Sequence, residues 1–460
     1  MILENIIASK RREVARRKAE MPLECFSGSL VPSKRDFLHA LKKSERTGFI
    51  LECKRASPSR GVIRTDYDPA AIAREYSGIA DAISVLTDGP FFGGSHKHLE
   101  KVSGAVSIPV LCKDFIIDPY QVHEARMFGA DAVLLMLSVL DDDDFRVCFE
   151  IASHLNMNVL AEVHDMVEIS RALRLGAKII GINNRDLKTL DVCLETTEEL
   201  APLVPKGIAL VSESGIRNHL DVIRMRRHVD CFLVGSLMME SDDVARAARE
   251  LVFGRVKVCG LTRPGDALDA WDTGAVWGGV IFADGSPRKV TKGQASEICR
   301  SAPLHWAGVF VNEKPGVVAE TVSELGLKAV QLHGDETPDY IDGLKKILPC
   351  GCAVWKAVRV KDSIPLPVET GADRLLLDSY EKGKPGGTGK RFNWDLLKGY
   401  PKTAQVILSG GIGPSNVRDA EIQGAWAMDV NSAVESKPGV KSRTAMEKFF
   451  GILRGRKRSR

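Results

Sequence analysis

Sixteen short apolar runs punctuate the chain, and each is followed by a longer segment with helical periodicity. Eight fall in the first half, at 49–53, 82–86, 109–112, 132–137, 159–161, 179–182, 208–211 and 231–234. Eight more follow, at 256–259, 277–282, 306–311, 329–332, 353–358, 375–377, 405–408 and 427–430. Strands that alternate with helices build right-handed βαβ units around a parallel sheet. Eight units per half, over about 200 residues or slightly more, is the count of a closed (β/α)8 barrel. The expected fold is α/β: two such TIM barrels in tandem, the first carrying an N-terminal helical extension. An open, doubly wound sheet is the alternative for either half. The domain expectation is 1–254 and 255–453, with 454–460 a basic, disordered tail. Residues 249–255 contain no low-complexity linker. The extension, read over 5–21, either caps the bottom of the first barrel or lies over its mouth.

The two halves echo each other. Ser214-Gly215 follows the seventh run of the first half and Gly235-Ser236 ends its eighth. Gly410-Gly411 and Asn431-Ser432 stand at the matching places of the second. Gly215 and Gly235 are 20 residues apart, as are Gly411 and Asn431. Glycine lets backbone N–H groups come close to an anion. The loops after strands seven and eight are a frequent phosphate site in such barrels. Each half is therefore expected to hold its own phosphate.

Charge narrows the partners. The chain has 64 Lys and Arg against 60 Asp and Glu, but residues 454–460 alone supply five of the basic ones. Without them the body carries 59 against 60, which is no basis for a nucleic-acid-binding fold. No stretch approaches 18 uninterrupted apolar residues, so no membrane span is expected. Near the amino terminus, Lys10, Arg11 and Arg12 follow the apolar residues rather than precede them, the wrong order for a secretory leader. Ten cysteines occur without a CxxC pair. They read as reduced thiols of a cytoplasmic protein, and no metal site is expected. No GxGxxG follows a strand, and no organic cofactor is expected. No obligate protein partner is evident either.

Residues two apart share a strand face, and inward residues at the carboxyl ends line a barrel's active site. Glu52 and Lys54 share one face, Lys113 and Phe115 another; Glu162 continues from Leu160 and Asn183 from Gly181. Ser214 and Ser236 close the set. Lysines and carboxylates meeting at one mouth can divide acid and base roles, though a polar rim remains the alternative. In the second half, Cys259 ends the first run, either as a reactive thiol or as a small buried hydrophobe. Asp378, after three leucines, reads as a partly desolvated proton donor or as a helix N-cap. Arg288 is placed to clamp a carboxylate. His333 is a weaker candidate. Gly386-Gly387-Thr388-Gly389 suits a loop that closes over a phosphate.

The motifs of the first half are Glu52-Cys53-Lys54 with Ser57-Pro58-Ser59, Leu111-Cys112-Lys113-Asp114-Phe115, Gly181-Ile182-Asn183-Asn184-Arg185 and Ser212-Glu213-Ser214-Gly215-Ile216. They resemble indole-3-glycerol-phosphate synthase. Lys257-Val258-Cys259-Gly260, Ser286-Pro287-Arg288, Gln331-Leu332-His333-Gly334, Leu377-Asp378 and the 386–389 loop resemble phosphoribosylanthranilate isomerase. Their order resembles the fused bifunctional enzymes of tryptophan biosynthesis, and the resemblance covers all but the basic tail.

The resemblance implies that the second half isomerises N-(5′-phosphoribosyl)anthranilate. Asp378 would be the acid and Cys259 the base, with Arg288 and His333 contacting substrate. Gly386, Gly387, Gly389, Gly410, Gly411, Asp429, Asn431 and Ser432 would line the phosphate end. It implies that the first half then decarboxylates and cyclises the product. Lys113 would be the general acid and Glu162 its proton-transfer partner, with Glu52, Lys54 and Asn183 beside them. Ser57, Phe92, Phe115, Arg185, Glu213, Ser214, Gly215, Gly235 and Ser236 would bind the substrate. Small phosphorylated anthranilates are the expected partners. The alternative is that only one barrel is active, the other serving as a scaffold or regulatory domain.

Overall fold

The computed structural model describes residues 2–43, 45–361, 363–379 and 392–455. Gly386, Gly387 and Gly389 of the expected phosphate loop, and the tail from 456 onward, lie outside the described residues. The chain divides into two compact units, 1–251 with 455–460, and 252–454. Arg454, placed in the tail by the sequence reading, is instead the buried last residue of helix Arg443–Arg454.

Each unit is a closed, parallel eight-stranded barrel. The strands of the first are β1 Gly48–Cys53, β2 Ala82–Leu86, β3 Val110–Lys113, β4 Ala132–Met136, β5 Asn158–Val163, β6 Ile179–Asn183, β7 Ala209–Glu213 and β8 Cys231–Val234. Those of the second are β9 Val256–Val258, β10 Trp277–Ile281, β11 His305–Phe310, β12 Ala329–Leu332, β13 Ala353–Val360, β14 Arg374–Ser379, β15 Val406–Leu408 and β16 Ala427–Val430. Closure pairs β1 with β8, Gly48 opposite Cys231, and β9 with β16, Lys257 opposite Asp429. Among the described residues, neither half forms the open, doubly wound sheet of the alternative; beside the barrels stand only two-stranded hairpins.

Several strands run past the apolar runs that announce them. β3 extends to Lys113, β5 to Val163, β6 to Asn183, β7 to Glu213 and β14 to Ser379. Polar side chains such as Lys113, Asn183 and Asp378 belong to the ladder at these ends because the barrel mouth gives them partners.

The barrel interiors follow the two-residue strand period. In the first, Ile50, Leu111, Leu134, Leu160, Ile179, Val211 and Leu233 fill the centre with Ala82, Ala132 and Ala209 between them. In the second, Trp277 and Trp355 lie 4.8 Å apart between Ala307, Ala329 and Ala427. Large beside small is what lets inward layers interlock.

The N-terminal helix, Ile2–Glu20, lies over the mouth of the first barrel. Its Lys10 is 1% exposed, and its ammonium sits 2.8 Å from both Asp88, after β2, and Asp114, after β3. Burial disfavours that ammonium, but the two carboxylates outweigh it and hold Lys10 above its ordinary pKa. The bottom is closed by another element, Phe37–Lys42, whose Phe37 and Leu41 are buried against the barrel. Among the described residues, no helix is long and apolar enough to cross a membrane.

Replacing one partner of a buried ion cluster leaves the others uncompensated, at a cost of about 3–5 kcal/mol. Lys10→Met is therefore expected to release the N-terminal helix from the mouth. Native-state hydrogen exchange of the full chain should show the amides of Ile2–Glu20 losing protection by roughly a hundredfold or more. Asp114 carries a depressed pKa, so the wild-type advantage holds above pH ~4 and fades as Asp114 protonates in acid. Unchanged protection at neutral pH would contradict the account.

Candidate functional site

The first mouth is a cavity of about 410 Å³. All fourteen residues expected there from the sequence line it: Glu52, Lys54, Ser57, Phe92, Lys113, Phe115, Glu162, Asn183, Arg185, Glu213, Ser214, Gly215, Gly235 and Ser236. Leu3 and Ile6 of the N-terminal helix complete the wall, a contribution hidden in the sequence.

At its centre stands Lys113, its ammonium 2.9 Å from Glu213 and 3.4 Å from Glu162. Burial disfavours the charged amine, yet Glu213, Glu162 and Glu52 together hold it well above its usual range. The two principal partners diverge. Burial pushes the Glu213 carboxyl upward against the pull of Lys113. Burial also acts on Glu162, but Lys113, His164 and the hydrogen bond from Asn183, at 3.0 Å, hold it below the ordinary carboxylate value. Two acids driven apart in this way are suited to different proton-transfer duties. Glu213, read from sequence only as a binding residue, is thus the nearest partner of Lys113. Lys54 pairs with Glu52 at 2.9 Å. Glu52 Oε2 and Glu213 Oε1 are buried with no protein hydrogen-bond partner.

Backbone geometry makes the room. A side chain on Gly181 would bring its Cβ within 2.0 Å of Glu213 Oε1, and one on Gly235 within 2.3 Å of Glu52 Oε1. Ser214 and Gly215 take positive φ values of 64° and 89°, forming the anticipated turn after β7. Asn184, next to the predicted Asn183, holds that turn: its amide donates to Ser212 Oγ and to the Glu213 and Ser214 carbonyls. Its carbonyl accepts from Thr197. Phe92 and Phe115 face each other at 6.0 Å, an apolar wall beside the charges. The Arg185 N–H donates to Asn183 Oδ1, which fixes that amide's orientation.

In the second barrel, strand pairing puts Lys257 against Asp429, 2.9 Å away, and the same ammonium donates to Gln331 at 2.8 Å. Cys259 is 4% exposed. Burial raises its pKa, while the Lys257 charge works to lower it. Lys257 thus acts on the thiol through its charge. Gly279 leaves the space, since its Cβ would meet both Cys259 Sγ and Lys257 Cε at 2.9 Å.

Asp378 is inside β14, so it is not a helix N-cap; it is 4% exposed and accepts the Ser379 N–H at 2.8 Å. His333 Nε2 lies 3.8 Å from the Asp378 carboxylate, and burial lowers its pKa to about 4. Gly410 and Gly411 both have positive φ, the left-handed turn expected after β15. Asn431 and Ser432 follow β16, and Lys441 donates to Asn431 Oδ1 at 2.8 Å.

Arg288 departs from expectation. Its guanidinium already has a carboxylate, Glu435, bound through Nε and Nη2 at 2.9 and 2.7 Å. Lys441 pairs with the same Glu435 at 2.9 Å. Neither Glu435 nor Lys441 was a sequence candidate. Both lie on the small hairpin Glu435–Lys437 and Val440–Lys441, far in sequence from Arg288, and no local pattern announces them. Among the described residues, no group of three His, Cys, Asp or Glu side chains is placed to hold a metal ion.

Residues 3–251 match the family model of indole-3-glycerol phosphate synthase, and residues 256–451 that of N-(5′-phosphoribosyl)anthranilate isomerase. The chain is similar to the tryptophan biosynthesis protein TrpCF of Yersinia pestis, 47% identical over 453 residues, covering 98% of this chain and 94% of that protein. The TrpCF protein of Vibrio parahaemolyticus is 46% identical over 456 residues, with 98% and 94% covered. That of Helicobacter pylori strain J99 is 42% identical over 454 residues, with 98% and 99% covered.

The Lys257 charge acting on Cys259 has a measurable consequence. Only the thiolate is alkylated, and a raised pKa keeps it scarce at neutral pH. Peptide-resolved mass spectrometry of iodoacetamide labelling should show Cys259 reacting slowly at pH 7 and faster as the pH rises. Lys257→Met removes the neighbouring positive charge and should slow labelling further, by about tenfold for each unit the thiol pKa climbs. Fast labelling at pH 7 that is indifferent to Lys257 would contradict the assignment.

Proposed function

The chain belongs to the tryptophan-biosynthesis family in which an indole-3-glycerol-phosphate synthase barrel precedes a phosphoribosylanthranilate isomerase barrel, and from that premise we propose how its residues share the chemistry. The second barrel converts N-(5′-phosphoribosyl)anthranilate to 1-(2-carboxyphenylamino)-1-deoxyribulose 5-phosphate. The first barrel decarboxylates and cyclises that product to indole-3-glycerol phosphate. Both activities belong to the family, and the single-active-barrel alternative is not favoured.

In the isomerase, Asp378 protonates the ribose ring oxygen and the ring opens to a Schiff base. Cys259, as thiolate, takes the proton from C2′, and the enolamine rearranges to the ketone. Lys257 supports the thiolate by its charge, helped at longer range by Lys441. Arg288 offers the anthranilate carboxylate its Nη1 edge, the rest of the fork being held by Glu435. Gly410, Gly411, Asn431 and Ser432 receive the phosphate, and His333 stands beside the acid.

In the synthase, Lys113 donates to the ketone oxygen as the anthranilate ring carbon attacks. Its carboxylate neighbours keep it charged and aimed, which is what a buried acid at neutral pH needs. The ring loses CO2, and Glu162 completes proton transfer in the dehydration. Glu213 orients Lys113, and Glu52 with Lys54 flanks the ketone. Ser214, Gly215, Gly235 and Ser236 hold the phosphate, with Arg185 and Ser57 at the rim. Phe92 and Phe115 pack on the aromatic ring. The contact that carries this reading is Lys113 between Glu213 and Glu162.

Lys113→Ala should stop indole-3-glycerol phosphate formation by about 10²–10⁴-fold while the Amadori product accumulates. Cys259→Ala should do the opposite, blocking isomerisation but leaving ring closure of supplied Amadori product intact. Mass analysis of each reaction separates the two. Ring closure at near the wild-type rate in Lys113→Ala would transfer the acid role to Lys54.

A further inference from the structure

An arginine that is free in water samples many rotamers, and ordering it each time a ligand binds weakens the bond it makes. Arg288 is spared that cost. Glu435 accepts its Nε–H through Oε1 at 2.9 Å and its Nη2–H through Oε2 at 2.7 Å. A planar guanidinium met on that edge keeps its Nη1 side for a second anion. The Arg288 side chain is 17% exposed and that of Glu435 4%, so the carboxylate is the buried partner and the guanidinium the open one.

Glu435 is in turn held in place. Its Oε1 also accepts from Lys441 Nζ at 2.9 Å and from the Gly439 N–H at 3.2 Å. The Lys441 side chain is fully buried, and the same ammonium donates to Asn431 Oδ1, just after β16. Burial disfavours the Glu435 carboxylate, but the hydrogen bonds from Arg288 and Lys441 outweigh it and keep the group below its ordinary pKa. The hairpin that carries Glu435 and Lys441 is itself anchored. The Thr262 hydroxyl donates to the Gly439 carbonyl, and the Lys441 N–H donates to Asp266, in helix Pro264–Thr273, at 3.0 Å. Gly439 has a φ of 79°, and a Cβ there would lie 3.4 Å from the carbonyl of Pro287, the residue before Arg288. The hairpin is thus pinned to the segments that follow β9 and β10.

This frame sets Arg288 beside the reacting thiol. Gly260 directly follows Cys259, and a Cβ on it would meet Arg288 Cδ at 2.6 Å and Asn431 Oδ1 at 3.0 Å. The arginine stem therefore crosses the chain next to Cys259. Two cations, Arg288 and Lys441, share one carboxylate, which leaves the cluster one positive charge in excess and fit to receive an anion.

We propose that Glu435 is a positioning residue of the isomerase, holding Arg288 in the orientation that meets the anthranilate carboxylate and so selecting substrates that carry one. This rests on the reading of Arg288 as the carboxylate contact and extends it to the hairpin. Glu435 acts through Arg288 and touches no substrate atom.

The test compares two substrates of the full-length chain: N-(5′-phosphoribosyl)anthranilate, and N-(5′-phosphoribosyl)aniline, which keeps the phosphate and lacks the carboxylate. Slow reactions are followed by mass with enzyme in excess. Wild type should favour the anthranilate in kcat/KM by roughly a hundredfold, the scale of a charge-assisted hydrogen bond. Arg288→Met should erase that preference. Glu435→Gln keeps the shape but loosens the guanidinium. It should cut the preference roughly tenfold, mainly by raising KM for the anthranilate, while the aniline reacts as in wild type. Full preference in Glu435→Gln beside lost preference in Arg288→Met overturns the positioning role alone. Preference retained in Arg288→Met sinks the carboxylate reading of Arg288, and the role of Glu435 with it. Equal losses on both substrates in Glu435→Gln also overturn the positioning role, since they mark a structural change or a guanidinium that serves the phosphate.

Discussion

An ammonium group taken out of water and held among carboxylates organises the mouth of each barrel. Transferring such a charge to the interior costs several kcal/mol, and the cost is offset only where partners are close and well aligned. Lys113 meets that condition with Glu213 and Glu162, and Lys257 with Asp429 and Gln331. A third ammonium, Lys10, applies the same rule to architecture, fastening the N-terminal helix to Asp88 and Asp114 beside the reaction chamber. Asp114 directly follows Lys113 in sequence, so the fastening and the acid share one strand end.

The fold makes these pairs possible through register and through glycine. Closing the second barrel puts Lys257 opposite Asp429 without any loop having to reach across. Gly181, Gly235 and Gly279 are strand or strand-end residues whose missing side chains leave the volume occupied by Glu213, by Glu52 and by the side chains of Cys259 and Lys257. Adding a Cβ at any of the three would displace the polar neighbour first, because that neighbour is closer than van der Waals contact allows.

Much of this is legible in the sequence. The sixteen strands were readable from apolar runs because a parallel barrel buries both faces of each strand. The first mouth was readable because its polar residues follow those runs directly in sequence. What escaped detection lay off the strand pattern. His164, whose charge acts on Glu162, sits just past a strand end, where an isolated His carries no periodic signal. Lys10 belongs to a helix rich in Lys and Arg, and nothing local marks which one is buried. Arg288 was read as free to grip a substrate carboxylate because Glu435, its resident partner, lies on a hairpin more than a hundred residues later. Pairings over that span are set by the closed topology, not by local sequence.

On the proposed assignment, each barrel carries its own acid, its own base and its own glycine turn for phosphate. The central claim is that the two sites are self-sufficient and joined only by a diffusing intermediate. Mixing two defective chains, Lys113→Ala and Cys259→Ala, tests it most directly, with phosphoribosylanthranilate as the sole substrate and indole-3-glycerol phosphate measured by mass. The account predicts that the mixture makes the product although neither variant does so alone. A mixture that stays silent while each variant retains its single activity would contradict it.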